Sequence, residues 1–299
     1  MDAVATYGLT KHYGTQVALR NLDLRVPEGR LFGFLGPNGA GKTTALRLML
    51  GLLRATYGRA EVLGRDAWHA GPALRREVGY LPGDVRLYPH LTGTATLDFF
   101  NAARRADAGP EMRRLTQLLD LDVRRRVRDY SRGMKQKLGL IVAMMHRPRL
   151  LILDEPTTAL DPLMREALYT ELRRVVAAGR TVLFSSHTLS EVESLCDEIA
   201  ILRDGRLVEQ ERVEVLRERA LRHVEVRLGP GRSLSTPPPT GLEVSQHGDG
   251  YLRATWRGPV QPLLDWLARG GVRDATIAPP DLDDLFLAYY ADTPAERTR

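Results

Sequence analysis

The chain holds one cysteine, Cys196, in 299 residues. A lone thiol excludes an internal disulfide framework and any cysteine-built metal cluster, and it fits a reducing compartment. Lysine is nearly as scarce, with only Lys11, Lys42, Lys135 and Lys137. Arginine therefore carries most of the positive charge in a chain of net charge +6. The arginines alternate with acids as they do on a solvated surface. The densest cluster, Arg124-Arg125-Arg126 with Arg128, is too short for a nucleic-acid patch, so no nucleic-acid partner is expected. Long apolar runs are also missing. The longest, Leu138–Met145, is broken by Gly139 and falls far below the ~20 residues of a membrane helix. The first residues, Met1-Asp2-Ala3-Val4, lack the basic and apolar segments of a signal peptide. These absences lead to the expectation of a cytoplasmic chain, free or bound to something else.

What is present is ordinary in bulk and specific in detail. A hydrophobic share of 43% is enough for one large core or two unequal ones. Val17–Val26 alternates apolar and polar residues, as a half-buried strand does, and ends at Pro27-Glu28-Gly29. Leu31–Leu35 is wholly apolar apart from Gly33 and predicts a buried strand. A glycine-rich turn follows, then a helix over Thr43–Leu53 with Leu46, Leu50 and Leu53 on one face. Residues 84–128 read as mostly helical. Ser131 stands where an N-cap belongs, before a helix to about His146, and Pro148 closes it. Leu150–Leu153, Thr181–Ser185 and Ile199–Leu202 predict buried strands. Between the first two, a helix opens at Asp161-Pro162 and stops at Gly179. Asp204-Gly205 predicts a hairpin turn.

Strands alternating with helices imply a largely parallel sheet covered by helices. The alternation stops near residue 218. Beyond it lie short alternating segments (His223–Leu228, Tyr251–Trp256), a proline-rich linker at Ser233–Thr240 and a last helix from Asp281. The expected domains are 1–218, with a helical subdomain at about 84–148, and a small α+β domain over 219–299. No internal repeat is visible, so one nucleotide cassette is expected.

The chemistry starts at Gly36-Pro37-Asn38-Gly39-Ala40-Gly41-Lys42-Thr43, which fits G-x-x-x-x-G-K-[ST] and is followed by Thr44 at the same site. Glycines let backbone N–H groups curl around phosphate oxygens, and the helix that follows points its positive end at the same anion. Lys42 adds a full charge at the β and γ phosphates, and the Thr43 hydroxyl is placed to ligate Mg²⁺. The fit predicts an ATP site. Further on, Leu150-Leu151-Ile152-Leu153-Asp154-Glu155-Pro156 ends a buried strand on two acids. Such acids are costly unless they meet a cation or polarised water. Asp154 suits a water-mediated Mg²⁺ contact, and Glu155 a general base for the attacking water.

Tyr130-Ser131-Arg132-Gly133-Met134-Lys135-Gln136 resembles the signature segment of ABC ATPases in its Y-S-x-G-M form. Ala159-Leu160-Asp161 resembles the family's D-loop, and Ser185-Ser186-His187 its switch histidine. Tyr13 lies where an aromatic stacks on adenine. The resemblance covers about residues 3–215 and implies an ABC-type P-loop NTPase: a mainly parallel sheet with antiparallel β and helical subdomains. It implies a head-to-tail dimer, with each ATP between the P-loop of one chain and Ser131, Arg132 and Gly133 of the other. It also implies that Asp161 contributes at that interface and that His187 holds the γ-phosphate and the attacking water. The segment Gly79-Tyr80-Leu81-Pro82-Gly83-Asp84 departs from the family pattern. The family has glutamine where Gly83 stands, so water or Asp84 is expected in its place.

Pro279-Pro280-Asp281-Leu282-Asp283-Asp284-Leu285-Phe286-Leu287 resembles the ending of ATPase subunits of bacterial ABC-2-type exporters. That implies a separate membrane-spanning permease whose cytoplasmic helix inserts near residues 83–105, a second ATPase subunit that makes a homodimer, and a place on the cytoplasmic face of the membrane. The alternatives are a soluble ABC ATPase acting on nucleic acid or ribosomes, and an importer motor. The first is disfavoured by the single cassette and the absence of sustained heptads.

Overall fold

A computed structural model describes residues 1–104, 107–229, 237–248 and 250–281. The chain divides into two compact units, Met1–Gln210 and Glu211–Arg299.

The first unit opens with β1 (Asp2–Tyr13), β2 (Gln16–Leu22), β3 (Arg25–Pro27) and β4 (Leu31–Leu35). Helix α1 (Lys42–Met49) follows, then β5 (Tyr57–Val62), β6 (Arg65–Asp66), α2 (Gly71–Glu77) and β7 (Val78–Leu81). The helical part comprises α3 (Gly93–Arg104), α4 (Gly109–Leu118), a 3₁₀ turn at Val127–Asp129 and α5 (Arg132–Met144). The chain returns through β8 (Leu150–Asp154), α6 (Pro162–Ala177), β9 (Thr181–Ser186), α7 (Leu189–Leu195), β10 (Glu198–Arg203) and β11 (Arg206–Arg212).

Two sheets result. The larger has the order β11-β10-β4-β9-β8-β7, and β10, β4, β9, β8 and β7 run parallel. Its inner strands β4, β8 and β9 are buried along their whole length, as an unbroken apolar run requires when helices cover both faces. The rings of Phe32, Phe34 and Phe184 are fully buried there, each contributing roughly 2–3 kcal/mol of burial. The smaller sheet is antiparallel, with order β2-β1-β5-β6 and β3 also on β1. Helix α1 packs against both sheets through Ala45, Leu46 and Met49, in one core with Leu22, Leu24 and Val62.

Several sequence expectations shift at their edges. The strand expected over Val17–Val26 is two short strands, broken at Asp23-Leu24, with Asn21 at φ 46° near the end of the first. Helix α1 ends at Met49, before the left-handed Gly51 at φ 61°. The stretch expected to be mostly helical begins its first helix only at Gly93, and residues 82–92 are turns and extended chain. Ser131 is the N-cap of α5, its Oγ accepting from the Met134 N–H at 3.2 Å. Asp161 caps α6 in the same way, accepting from Met164 N–H at 3.0 Å.

The second unit contains α8 (Val213–Arg219), β12 (Leu221–Leu228), β13 (Leu242–Gly248), β14 (Tyr251–Trp256), α9 (Val260–Arg269) and β15 (Val272–Asp281). Its sheet is antiparallel with order β13-β14-β12-β15. Alternation in β12 and β14 buries Val224, Val226, Leu252, Ala254 and Trp256 against Leu263, Trp266 and Leu267 of α9. The helix expected from Asp281 and the exporter-like ending beyond it lie outside the described residues, as does the first half of the proline-rich linker, residues 233–236.

Candidate nucleotide site

The P-loop residues 36–41 join the end of β4 to the start of α1. Gly41 is the N-cap of α1 at φ 102°, and a Cβ there would meet the Ala18 carbonyl at 2.6 Å. Only glycine allows both the turn and the approach of β2. No side chain caps α1, so its first-turn N–H groups face the cavity as donors for an anion. That cavity measures about 630 Å³. Its walls include Tyr13, Pro37, Asn38, Gly39, Gly41 to Thr44, Asp154 and Glu155. Ala40 is buried and turns the loop through its N–H to the Pro37 carbonyl at 3.2 Å.

The polar groups converge on one edge of the large sheet. Asp154 ends β8 fully buried. Its Oδ2 accepts from Thr43 Oγ1 at 2.7 Å and its Oδ1 from Ser185 Oγ at 2.7 Å. Among the described residues no cationic side chain pairs with this carboxylate. Lys42, almost fully buried, donates to the carbonyls of Gly36 and, at 3.3 Å, Pro37. Its Nζ also lies 3.4 Å from Glu155 Oε1. The other Glu155 oxygen, Oε2, is 2.7 Å from His187 Nδ1. Glu155 occupies the left-handed region at φ 51°, a backbone strain of about 1–3 kcal/mol. Its N–H donates to the carbonyl and hydroxyl of Ser185, and Gln136 Nε2 donates to the carbonyls of Glu155 and Pro156, which hold it there.

The cradle thus joins Lys42, Thr43, Asp154, Glu155 and His187 through direct contacts. Tyr13 stands at its mouth, about half exposed, with Lys11 Nζ 5.3 Å from its ring centre. Ser131, Arg132, Gly133 and Asp161 do not line this cavity. Ser131, Arg132 and Asp161 are exposed. Gly133 lies against the Ala159 carbonyl, which a Cβ would meet at 2.6 Å. The sequence reading missed the part of Ser185, whose hydroxyl links Asp154 to the Glu155 N–H, and the part of Gln136. A serine ending an apolar strand beside two acids is the only signal that pointed to the first. Asp84 is exposed and hydrogen-bonded to Arg86 at 2.7 Å. A Cβ on Gly83 would stand 3.4 Å from Asp154 Oδ2.

Residues 19–158 match the family model described as ABC transporter. DrrA3, a daunorubicin resistance ATP-binding protein of Streptomyces coeruleorubidus, is 34% identical over 97% of this chain and 96% of its own length. The chain belongs to the ABC transporter ATP-binding protein family. It is an ATPase chain of the P-loop fold, and its nucleotide is ATP. An uncharacterized ABC transporter ATP-binding protein of Nostoc is 39% identical over 69% of this chain, which spans 65% of that protein's length. A solved ATP-binding subunit of an ABC transporter superimposes with a TM-score of 0.67 at 29% identity, covering 72% of this chain and 92% of that one. ATP-binding subunits of this family work with membrane permeases. Among the described residues of this ABC chain, no helix is long and apolar enough to cross a membrane.

Proposed function

We propose that this ABC ATPase energises export of a small molecule through a separate membrane-spanning subunit, working as a homodimer on the cytoplasmic face of the membrane. The observation that carries the proposal is the split between the cradle and the signature segment. Ser131, Arg132 and Gly133 sit at the start of α5, the first two exposed and all three outside the cavity that gathers Lys42, Asp154 and Glu155. A helix N-terminus of this kind suits an anion, and the phosphate of a nucleotide held by a second copy is one. Asp161 then belongs to the same interface. Export, rather than another use of ATP, is supported by the full-length relationship to a daunorubicin resistance ATP-binding protein. The unit Met1–Gln210 is the motor, and the groove around Pro82, Val85 and Phe100 is where a permease helix docks.

The residues fit a magnesium ion. Asp154 is a buried carboxylate that meets two hydroxyls and, among the described residues, no cationic side chain, a donor set suited to a hard divalent ion, with Thr43 beside it. When bound, the ion neutralises charge on the β and γ phosphates. Tyr13 stacks on adenine. Lys42 turns from the loop carbonyls and Glu155 to the phosphates. Glu155, held by Ser185 and Gln136, accepts a proton from the attacking water, and His187 orients that water and the γ-phosphate by hydrogen bonds. Tagged Glu155→Gln protein purified from native membranes with MgATP tests the proposal. A multi-spanning protein co-purifying in near-stoichiometric amount is expected. Ribosomal proteins or DNA without a membrane partner would overturn it.

A further inference from the structure

The first unit has a second cavity, of about 360 Å³, between the α1–β5 connection and the β6–α2 connection. It shares no lining residue with the nucleotide cradle. Its floor is apolar, formed by the buried Leu9, Leu48, Ala60 and Ala67. Two large aromatic side chains line it without joining the core: Tyr57 is 65% exposed and Trp68 46%. Single exposed apolar residues are common, but two aromatics facing one cavity of ligand size over an apolar floor form a site.

The rim is cationic. The Arg54 guanidinium lies 6.0 Å from the Trp68 ring centre, and among the described residues no carboxylate pairs with it. Arg59 adds a second guanidinium, bonded to Glu61 and stacked over Tyr7. The one carboxylate in the lining, Asp66, is already taken by the backbone N–H and ring of His69 at 2.9 and 2.8 Å. Those bonds hold it below the usual carboxylate range although burial pushes it the other way. The wall is fixed in advance of any ligand. Lys11 Nζ donates to the Arg54 carbonyl at 2.9 Å, Thr56 N–H to the Thr10 carbonyl at 2.9 Å, and His12 N–H to Thr56 Oγ1 at 3.0 Å. The Tyr57 ring stands edge-on to His12 at 5.8 Å. A preformed wall lowers the ordering cost of binding.

We propose that this cavity is a second ligand site, for a planar aromatic anion whose rings lie against Trp68 and Tyr57 and whose acidic group pairs with Arg54. Aromatic faces and the apolar floor take the ring system, and the uncompensated guanidinium selects the charge. The test is a calorimetric titration of the full chain, saturated with ADP, with naphthoate and with the neutral naphthylmethanol. One saturable naphthoate site is expected, with the alcohol roughly tenfold weaker or worse. Trp68→Ala should abolish binding, and Arg54→Gln should weaken naphthoate roughly tenfold and erase the preference over the alcohol. Both side chains are exposed, so circular dichroism should show an intact fold. Absence of saturable binding, equal affinity for acid and alcohol, indifference to both substitutions, or displacement by ADP would each overturn the proposal.

Discussion

Glu155→Gln removes one negative charge and almost nothing else. Glutamine keeps the length and planarity of the side chain, so the contact to His187 Nδ1, 2.7 Å in the native chain, has a partner of the same shape. The backbone at φ 51° is held by Ser185 and Gln136, neither of which touches the side chain of Glu155. Binding geometry should therefore survive. The carboxylate 3.4 Å from Lys42 Nζ also competes with phosphate for that ammonium, so its neutralisation leaves ATP affinity equal or tighter. What is lost is the proton acceptor for the attacking water. General-base catalysis contributes about 10²- to 10⁴-fold, or roughly 2.7–5.4 kcal/mol of barrier. Phosphate release under saturating MgATP should fall by that factor, while nucleotide binding measured by equilibrium dialysis does not weaken. Turnover within about threefold of the native rate, or ATP affinity weakened more than about tenfold, would refute the assignment of Glu155 as the base.

Other parts of the structure make separate predictions. Burial pushes the Glu111 carboxyl up, but hydrogen bonds and charge from Arg114 and Arg147 outweigh it and hold the group at about 2. Its folded value lies below the unfolded one, so its stabilisation is complete above about pH 4.5 and is lost as pH falls toward 2. Glu111→Gln should cost roughly 3 kcal/mol at neutral pH and flatten the acid limb, checked by urea unfolding from pH 7 to 2. Gly133→Ala would drive a Cβ to 2.6 Å from the Ala159 carbonyl. The expected result is a loss of about 1–3 kcal/mol in thermal unfolding with a fall in ATPase rate. Gly83→Gln places a Cβ at an ordinary 3.4 Å from Asp154 Oδ2 and restores an amide beside the carboxylate. Half-maximal turnover should then need less Mg²⁺, with stability changed by under about 0.5 kcal/mol; an unchanged Mg²⁺ profile would argue against a role for position 83.

The parts of the fold legible in the sequence were those where one local signal dominates. Leu31–Leu35 and Leu150–Leu153 are apolar runs bounded by turn residues or acids and short enough to be strands, and both are buried throughout. Ser131 and Asp161 each announced a helix start by the chemistry of an N-cap, and each accepts the N–H three residues on. The stretch from residue 82 to 92 misled because its apolar residues follow no period; they line a groove instead of one helix face. Strand β1 was not anticipated either. Its partners β2, β3 and β5 come later in the chain, and pairing with them supplies the stability that its own sequence does not signal. In the site, residue type and order located Lys42, Thr43, Asp154 and Glu155, whereas Ser185 and Gln136 act through contacts across 31 and 20 positions that no local pattern reports.

In the proposed dimer, each nucleotide is shared between two copies of the chain. Light scattering of the Glu155→Gln protein with MgATP tests that most directly, because the nucleotide is retained. Twice the mass of one chain is expected with MgATP and a single chain without it, and Ser131→Arg should keep the protein monomeric while it still binds ATP. A monomer at all MgATP concentrations, or a dimer indifferent to both MgATP and Ser131→Arg, would contradict the shared-nucleotide account.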